Sequence, residues 1–97
     1  MNVLLMLNIN PELEEDLIDY LLQLDCVQSF TSYHVRSHGR FDKLTLAEQV
    51  SGRRKRCQLE ILLDEPDVTA VLTGLAANVG RDIMYWEQPV RNVGKIA

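Results

Sequence analysis

The stretch that most constrains the fold is the first, "NVLLMLNINPELEED", because it changes character within two residues. Asn2–Ile9 is an apolar run too short to cross a bilayer and suited to a buried strand. Asn10 then offers a side-chain cap, and Pro11 takes the first helical position, where a missing N–H costs nothing. Glu12, Glu14, Glu15 and Asp16 crowd the helix end at which negative charge is favoured. Leu13, Leu17, Leu21 and Leu24, joined by Ile18 and Leu22, predict an amphipathic helix to about Asp25. A strand leading directly into a capped helix begins a layered domain with helices packed on a sheet.

The following elements complete that plan. Val27–His38 is β-branched and aromatic without helical spacing, so it reads as a strand, closed by Gly39. In "KRCQLEILL" the residues alternate: Cys57, Leu59, Ile61 and Leu63 share one face, with Arg56, Gln58, Glu60 and Leu62 on the other. "DEP" starts a second helix with Pro66 at its first position and a stripe of Val68, Val71, Leu72, Leu75 and Val79. Gly80 is placed to cap it, and "DIMYWEQPV" supplies the last strand. The order βαββαβ predicts an α+β, ferredoxin-like domain over residues 1–97, with an antiparallel four-stranded sheet and both helices on one face.

The sheet face away from the helices should be polar in a monomer, yet Leu4, Met6 and Leu62 fall on it. The last strand adds either Met84 with Trp86 or Ile83 with Tyr85, depending on its phase. An apolar patch of this kind marks a partner surface, and a homo-oligomer packed through the open face is expected. The same positions argue against RNA binding, because the central strands carry no aromatic platform on which bases could stack. The net charge of −4 also argues against general polyanion binding. Cys26 and Cys57 match no disulfide framework or paired metal motif, and Cys57 reads as a small core residue. The first residues lack a basic segment of the secretory type, so a cytoplasmic location without membrane insertion is expected.

Candidate chemistry is concentrated between strands two and three, in "LTLAEQVSGRRKR". Thr45 and Glu48 form a capping box for a short helix that Gly52 would end. Arg53, Arg54, Lys55 and Arg56 then enter a strand, so their side chains alternate in direction. Arg54 and Arg56 fall opposite Cys57, whereas Arg53 and Lys55 point the other way or into the loop. His34 and His38 share a strand face with Arg36, at a separation of roughly 13 Å, too long for one metal ion unless the strand bends at Gly39. No serine sits in a nucleophile elbow and neither cysteine has an evident histidine partner, so no catalytic residue, cofactor or enzymatic activity is expected.

"TSYHVRSHGR" (Thr31–Arg40) resembles the second strand of PII signalling proteins, whose V-R-G-x-G-R pattern precedes a long loop. Val35, Arg36, Gly39 and Arg40 match it, and Ser37 stands where that family has glycine. Over almost its whole length the chain is similar to small PII-like proteins that carry "LxLAEQVSGRxxR" between strands two and three and "YW…P" in the last strand. The resemblance, which extends in fold to CutA-type proteins, implies a homotrimer with a small effector, an adenine nucleotide or other anion, bound in intersubunit clefts. It implies ligand contacts from Arg36, His38, Gly39, Arg40, Arg53, Arg54 and Arg56. It also implies a regulated partner, such as a heavy-metal efflux transporter. The alternative is a metal-binding trimer for copper, zinc or cobalt that uses His34 and His38.

Overall fold

A computed structural model describes residues 1–39 and 54–97. Strand β1 (Asn2–Ile9) leads through a turn of 3-10 helix, Pro11–Leu13, into helix α1 (Glu14–Leu22). Strand β2 (Phe30–Ser37) precedes the long strand β3 (Arg54–Asp64). A second 3-10 turn, Glu65–Asp67, opens the short helices α2 (Val68–Thr73) and α3 (Leu75–Asn78), and strand β4 (Met84–Val90) closes the domain. The four strands are antiparallel in the order β2-β3-β1-β4, the ferredoxin-like topology that the element order predicts.

The sheet carries its core on one face. Val3, Leu5, Leu7 and Ile9 of β1 pair in register with Leu63, Ile61, Leu59 and Cys57 of β3. These eight residues pack with Leu17 and Leu21 of α1 and with Val68, Val71, Leu75 and Val79 of the second helical layer. Nine side chains of this cluster are less than 2% exposed, so the period-2 and period-3.6 patterns meet in one continuous core. Leu22, expected in the helical stripe, is 68% exposed because it lies one residue past the buried Leu21.

Local chemistry sets the boundaries. Asn10 caps the first helical turn, its Oδ1 accepting from the Glu12 amide at 2.9 Å. The second helix is not continuous. The Tyr20 hydroxyl donates to the Val71 carbonyl at 2.7 Å, an acceptor that an unbroken helix would use internally, and Gly74 lies at the break. A Cβ on Gly74 would lie 2.7 Å from that hydroxyl oxygen, so any larger residue there would force the phenol to shift. After α3, Gly80 at φ +156° and Asp82 at φ +62° turn the chain into β4.

The opposite sheet face presents Leu4, Met6, Leu62, Met84 and Trp86, with the phase of β4 fixed by the Met6–Trp86 pairing. Met6 is buried beneath its neighbours, while Leu62 and Met84 are 38% and 64% exposed. Towards β2 this face becomes polar. Tyr33 donates to Glu60 at 2.8 Å, Gln58 donates to the Tyr33 hydroxyl at 3.0 Å, and Asn8 donates to Gln58 at 3.2 Å. No described helix is long and apolar enough to cross a membrane.

Candidate functional site

The two strands β2 and β3 sort the basic residues by parity. The register pairs Ser37 with Arg54, Arg36 with Lys55, Val35 with Arg56 and His34 with Cys57. Arg54 and Arg56 therefore project to the open face, and Arg36 and Lys55 to the helix-bearing face alongside His34 and Cys57.

On the open face Arg56 is 3% exposed, and every one of its nitrogens meets a protein acceptor. Its Nε donates to Asn8 Oδ1 at 2.6 Å, and Nη2 donates to the carbonyl oxygens of Asn8 and Asp82, both at 2.8 Å. Nη1 reaches the Asp82 carboxylate at 3.3 Å, and Arg54 forms an ion pair with the same carboxylate. Arg54 first, and Arg56 more weakly, hold the Asp82 carboxyl below its ordinary range. This arrangement fixes the left-handed turn at Asp82 and ties β3 to the start of β4, so Arg56 braces the sheet end.

On the helix face the outcome differs. Arg36 and Lys55 lie directly opposite one another, both exposed, and like charges so placed are unfavourable without a counter-charge. With Pro11, His34, Val35 and Arg56 they line a cleft of about 620 Å³, within the range of small-molecule sites. Gly39, two residues past β2 at φ +142°, holds a conformation open to glycine and strained for other residues. His38 is exposed after the end of β2. The expected ligands Arg40 and Arg53, and the capped helix expected at Thr45–Gly52, lie outside the described residues.

Beside the cleft, three elements bring together Glu14, His34 and Cys57, whose ligand-type atoms all lie within 4.8 Å of one another. His34 Nε2 is 2.9 Å from Glu14 Oε1. Bonding to His34 holds the Glu14 carboxyl below its usual range, against the opposing effect of burial and with help from Ser32 and Cys57. Burial, and then the adjacent Glu14 carboxylate, push the Cys57 thiol up to about 11. A cysteine–histidine neighbourhood is thus present where the sequence offered no evident partner. Its electrostatics are the reverse of an activated nucleophile, which requires a depressed thiol pKa. Among the described residues His38 does not join His34 in this cluster; Glu14 and Cys57 do.

Comparisons place this geometry among known proteins. A family model described as a protein of unknown function, DUF3240, matches residues 1–97. No curated protein matches the chain. Among solved structures, a DUF3240 family protein from Shewanella baltica OS155 is 24% identical, with a TM-score of 0.81 over 99% of this chain and 97% of that one. The periplasmic divalent cation tolerance protein CutA from Archaeoglobus fulgidus is 11% identical, with a TM-score of 0.76 over 98% of this chain and 89% of that one. These likenesses show a shared PII-like ferredoxin fold.

Proposed function

The chain belongs to the DUF3240 family, and from that premise we propose that it is a non-enzymatic regulatory protein that binds a small anionic effector beside its sheet edge. The observation that carries this reading is the exposed, directly opposed pair Arg36–Lys55 in a cleft of about 620 Å³. Two cations held face to face on adjacent strands repel each other, and a bound anion turns that repulsion into attraction from both sides. Arg can add bidentate hydrogen bonds to a phosphate or carboxylate, whereas Lys supplies a point charge. The effector class is an adenine nucleotide or a smaller oxyanion such as bicarbonate. Binding rather than catalysis fits a buried Cys57 whose thiol is held neutral.

The working unit is a homotrimer, joined through the open face where Leu4, Leu62, Met84 and Trp86 would otherwise meet water. The cleft opens at edge strand β2, where the rim of a neighbouring subunit would border it, and its occupancy is passed to a partner, a heavy-metal efflux transporter by the PII-like resemblance. A cytoplasmic setting fits two free cysteines, one buried and one partly buried. Isothermal titration of metal-free protein with ATP, ADP, AMP, phosphate and bicarbonate tests the reading. One of these is expected to bind the native chain and to lose at least about tenfold in affinity in Arg36→Ala/Lys55→Ala. Silence with all five, or unchanged affinity in the double variant, refutes it. Light scattering should give about three times the 11.1 kDa chain mass; a monomer at micromolar concentration removes the intersubunit cleft.

A further inference from the structure

We propose that Glu14, His34 and Cys57 form a binding site for a thiophilic divalent cation of the zinc or cobalt class, adjoining the anion cleft and sharing His34 with it. The cluster is drawn from three parts of the fold: the first residue of α1, the middle of edge strand β2 and the core face of β3. It offers one carboxylate oxygen, one imidazole nitrogen and one sulfur, a donor set that suits zinc or cobalt rather than magnesium or calcium. Tetrahedral bonds of ordinary zinc length place ligand atoms roughly 3.4–3.8 Å apart. To sit on one ion, His34 Nε2 and Glu14 Oε1, now 2.9 Å apart, open by roughly 0.5 Å, and the wider separations, all within 4.8 Å, close by about 1 Å at most.

The mobile member is on the correct side. The His34 side chain is 66% exposed and can rotate, whereas Cys57 is fully buried and Glu14 is held at the head of its helix. His34 already directs Nε2 at Glu14 at 2.9 Å, so the ion replaces the proton shared between them. Cys57 loses its thiol proton to solvent on binding, and a dication offsets the two adjacent negative ligands. The helix dipole opposes a cation at this end, and Glu15 and Asp16 in the same first turn counter it. The exposed His34 side leaves a fourth position for water or an exogenous ligand, the arrangement of an open site.

The test is a Co2+ titration of the full-length, metal-free chain in a buffer without phosphate, nucleotide or bicarbonate. Absorbance should show one Co2+ per chain, with visible bands of tetrahedral cobalt and a near-ultraviolet thiolate-to-metal band. Cys57→Ala should remove the near-ultraviolet band, and His34→Ala should weaken Co2+ at least about tenfold, while His38→Ala leaves affinity and spectrum unchanged. If Cys57→Ala does not fold, His34→Ala and Glu14→Gln decide the matter from the protein surface. Cobalt bound without a thiolate band, or weakened equally by His38→Ala and His34→Ala, overturns the proposal, as does absence of binding. His34 is common to both sites, but Lys55 lines only the cleft and Cys57 only the cluster, so anion titration of metal-free Lys55→Ala and Co2+ titration of Cys57→Ala fail separately.

Discussion

Replacing Arg56 by Met should destabilise the fold far more than replacing the other cations of its run, and the loss can be worked from its contacts. The side chain is 3% exposed, and its bonds to Asn8 and Asp82 include three at 2.6–2.8 Å and one at 3.3 Å. A bond from a charged donor contributes about 1.5–3 kcal/mol net, but bonds sharing one guanidinium are not additive. Methionine keeps the aliphatic stem in place, so the loss is polar rather than a cavity. Asp82 is 65% exposed and water can replace its partners, whereas Asn8 is partly buried and keeps its penalty. The balance is a loss of about 2–3 kcal/mol, a large share of the roughly 5–15 kcal/mol of a small domain. For a chain of this length that lowers Tm by about 10–20 °C.

Urea unfolding followed by far-ultraviolet circular dichroism measures the change, at one chain concentration because association is linked to stability. Arg56→Lys keeps the charge but cannot span Asn8 and Asp82 together, so it should recover less than half of the loss. A loss below about 0.5 kcal/mol in Arg56→Met, the size of an ordinary surface substitution, would refute the brace.

Asp82→Asn suits the left-handed turn and removes only charge, so it isolates the ion pairs with Arg54 and Arg56. The depressed carboxyl stabilises the fold above the unfolded value near about 3.9 and loses that contribution as pH falls through the folded value. The gap between native and Asp82→Asn urea midpoints should therefore be constant from about pH 5 to 7 and close below about pH 4. Thiol titration at pH 8 should find one fast cysteine per chain, Cys26, with Cys57 reacting only on unfolding; two fast thiols would contradict its burial and its rise to about 11. Gly74→Ala should cost about 1–3 kcal/mol through the hydroxyl 2.7 Å away, and Tyr20→Phe should suppress much of that cost in a double-mutant cycle. Lys55→Glu should leave stability within about 0.5 kcal/mol or raise it, while abolishing anion binding.

The fold was legible because its signals are local. Asn10 with Pro11, Pro66 after "DE" and the alternation through Cys57–Leu63 each specify an element without reference to distant residues. The break at Gly74 was not legible, since Val68, Val71, Leu75 and Val79 keep helical spacing across it and its cause is Tyr20, on another helix. The same limit applies to the site. That His34 shares a face with Arg36, and Lys55 with Cys57, follows from period 2 alone. That His34 lies opposite Cys57 depends on the β2–β3 register, where a slip of one residue would put Tyr33 or Val35 there instead. Glu14 enters the cluster only through the packing of α1 on the sheet. Its place among four acids at a helix start gave it an ordinary explanation in the dipole.

The described part of the basic run, Arg54, Lys55 and Arg56, is divided between the two sheet faces by strand parity. Its even members, Arg54 and Arg56, turn to the open face and meet Asp82, where their charge is compensated within the fold. Lys55 turns to the helix face and meets Arg36, where charge is added to like charge. A sequence selected for stability alone would place an acid at one of those two positions, because an opposite-charge cross-strand pair is favourable by roughly 0.2–1 kcal/mol. Two like charges there cost stability, a cost that a bound anion would offset under the proposed function. The division gives a paired expectation. Arg56→Met should chiefly move the unfolding midpoint and, because Arg56 also borders the cleft, lower the anion affinity of the native fraction less than Lys55→Glu does, while Lys55→Glu leaves the midpoint nearly unchanged. If each variant moved both quantities to a similar extent, brace and cleft would be one coupled network, and the assignment of separate roles by parity would fall.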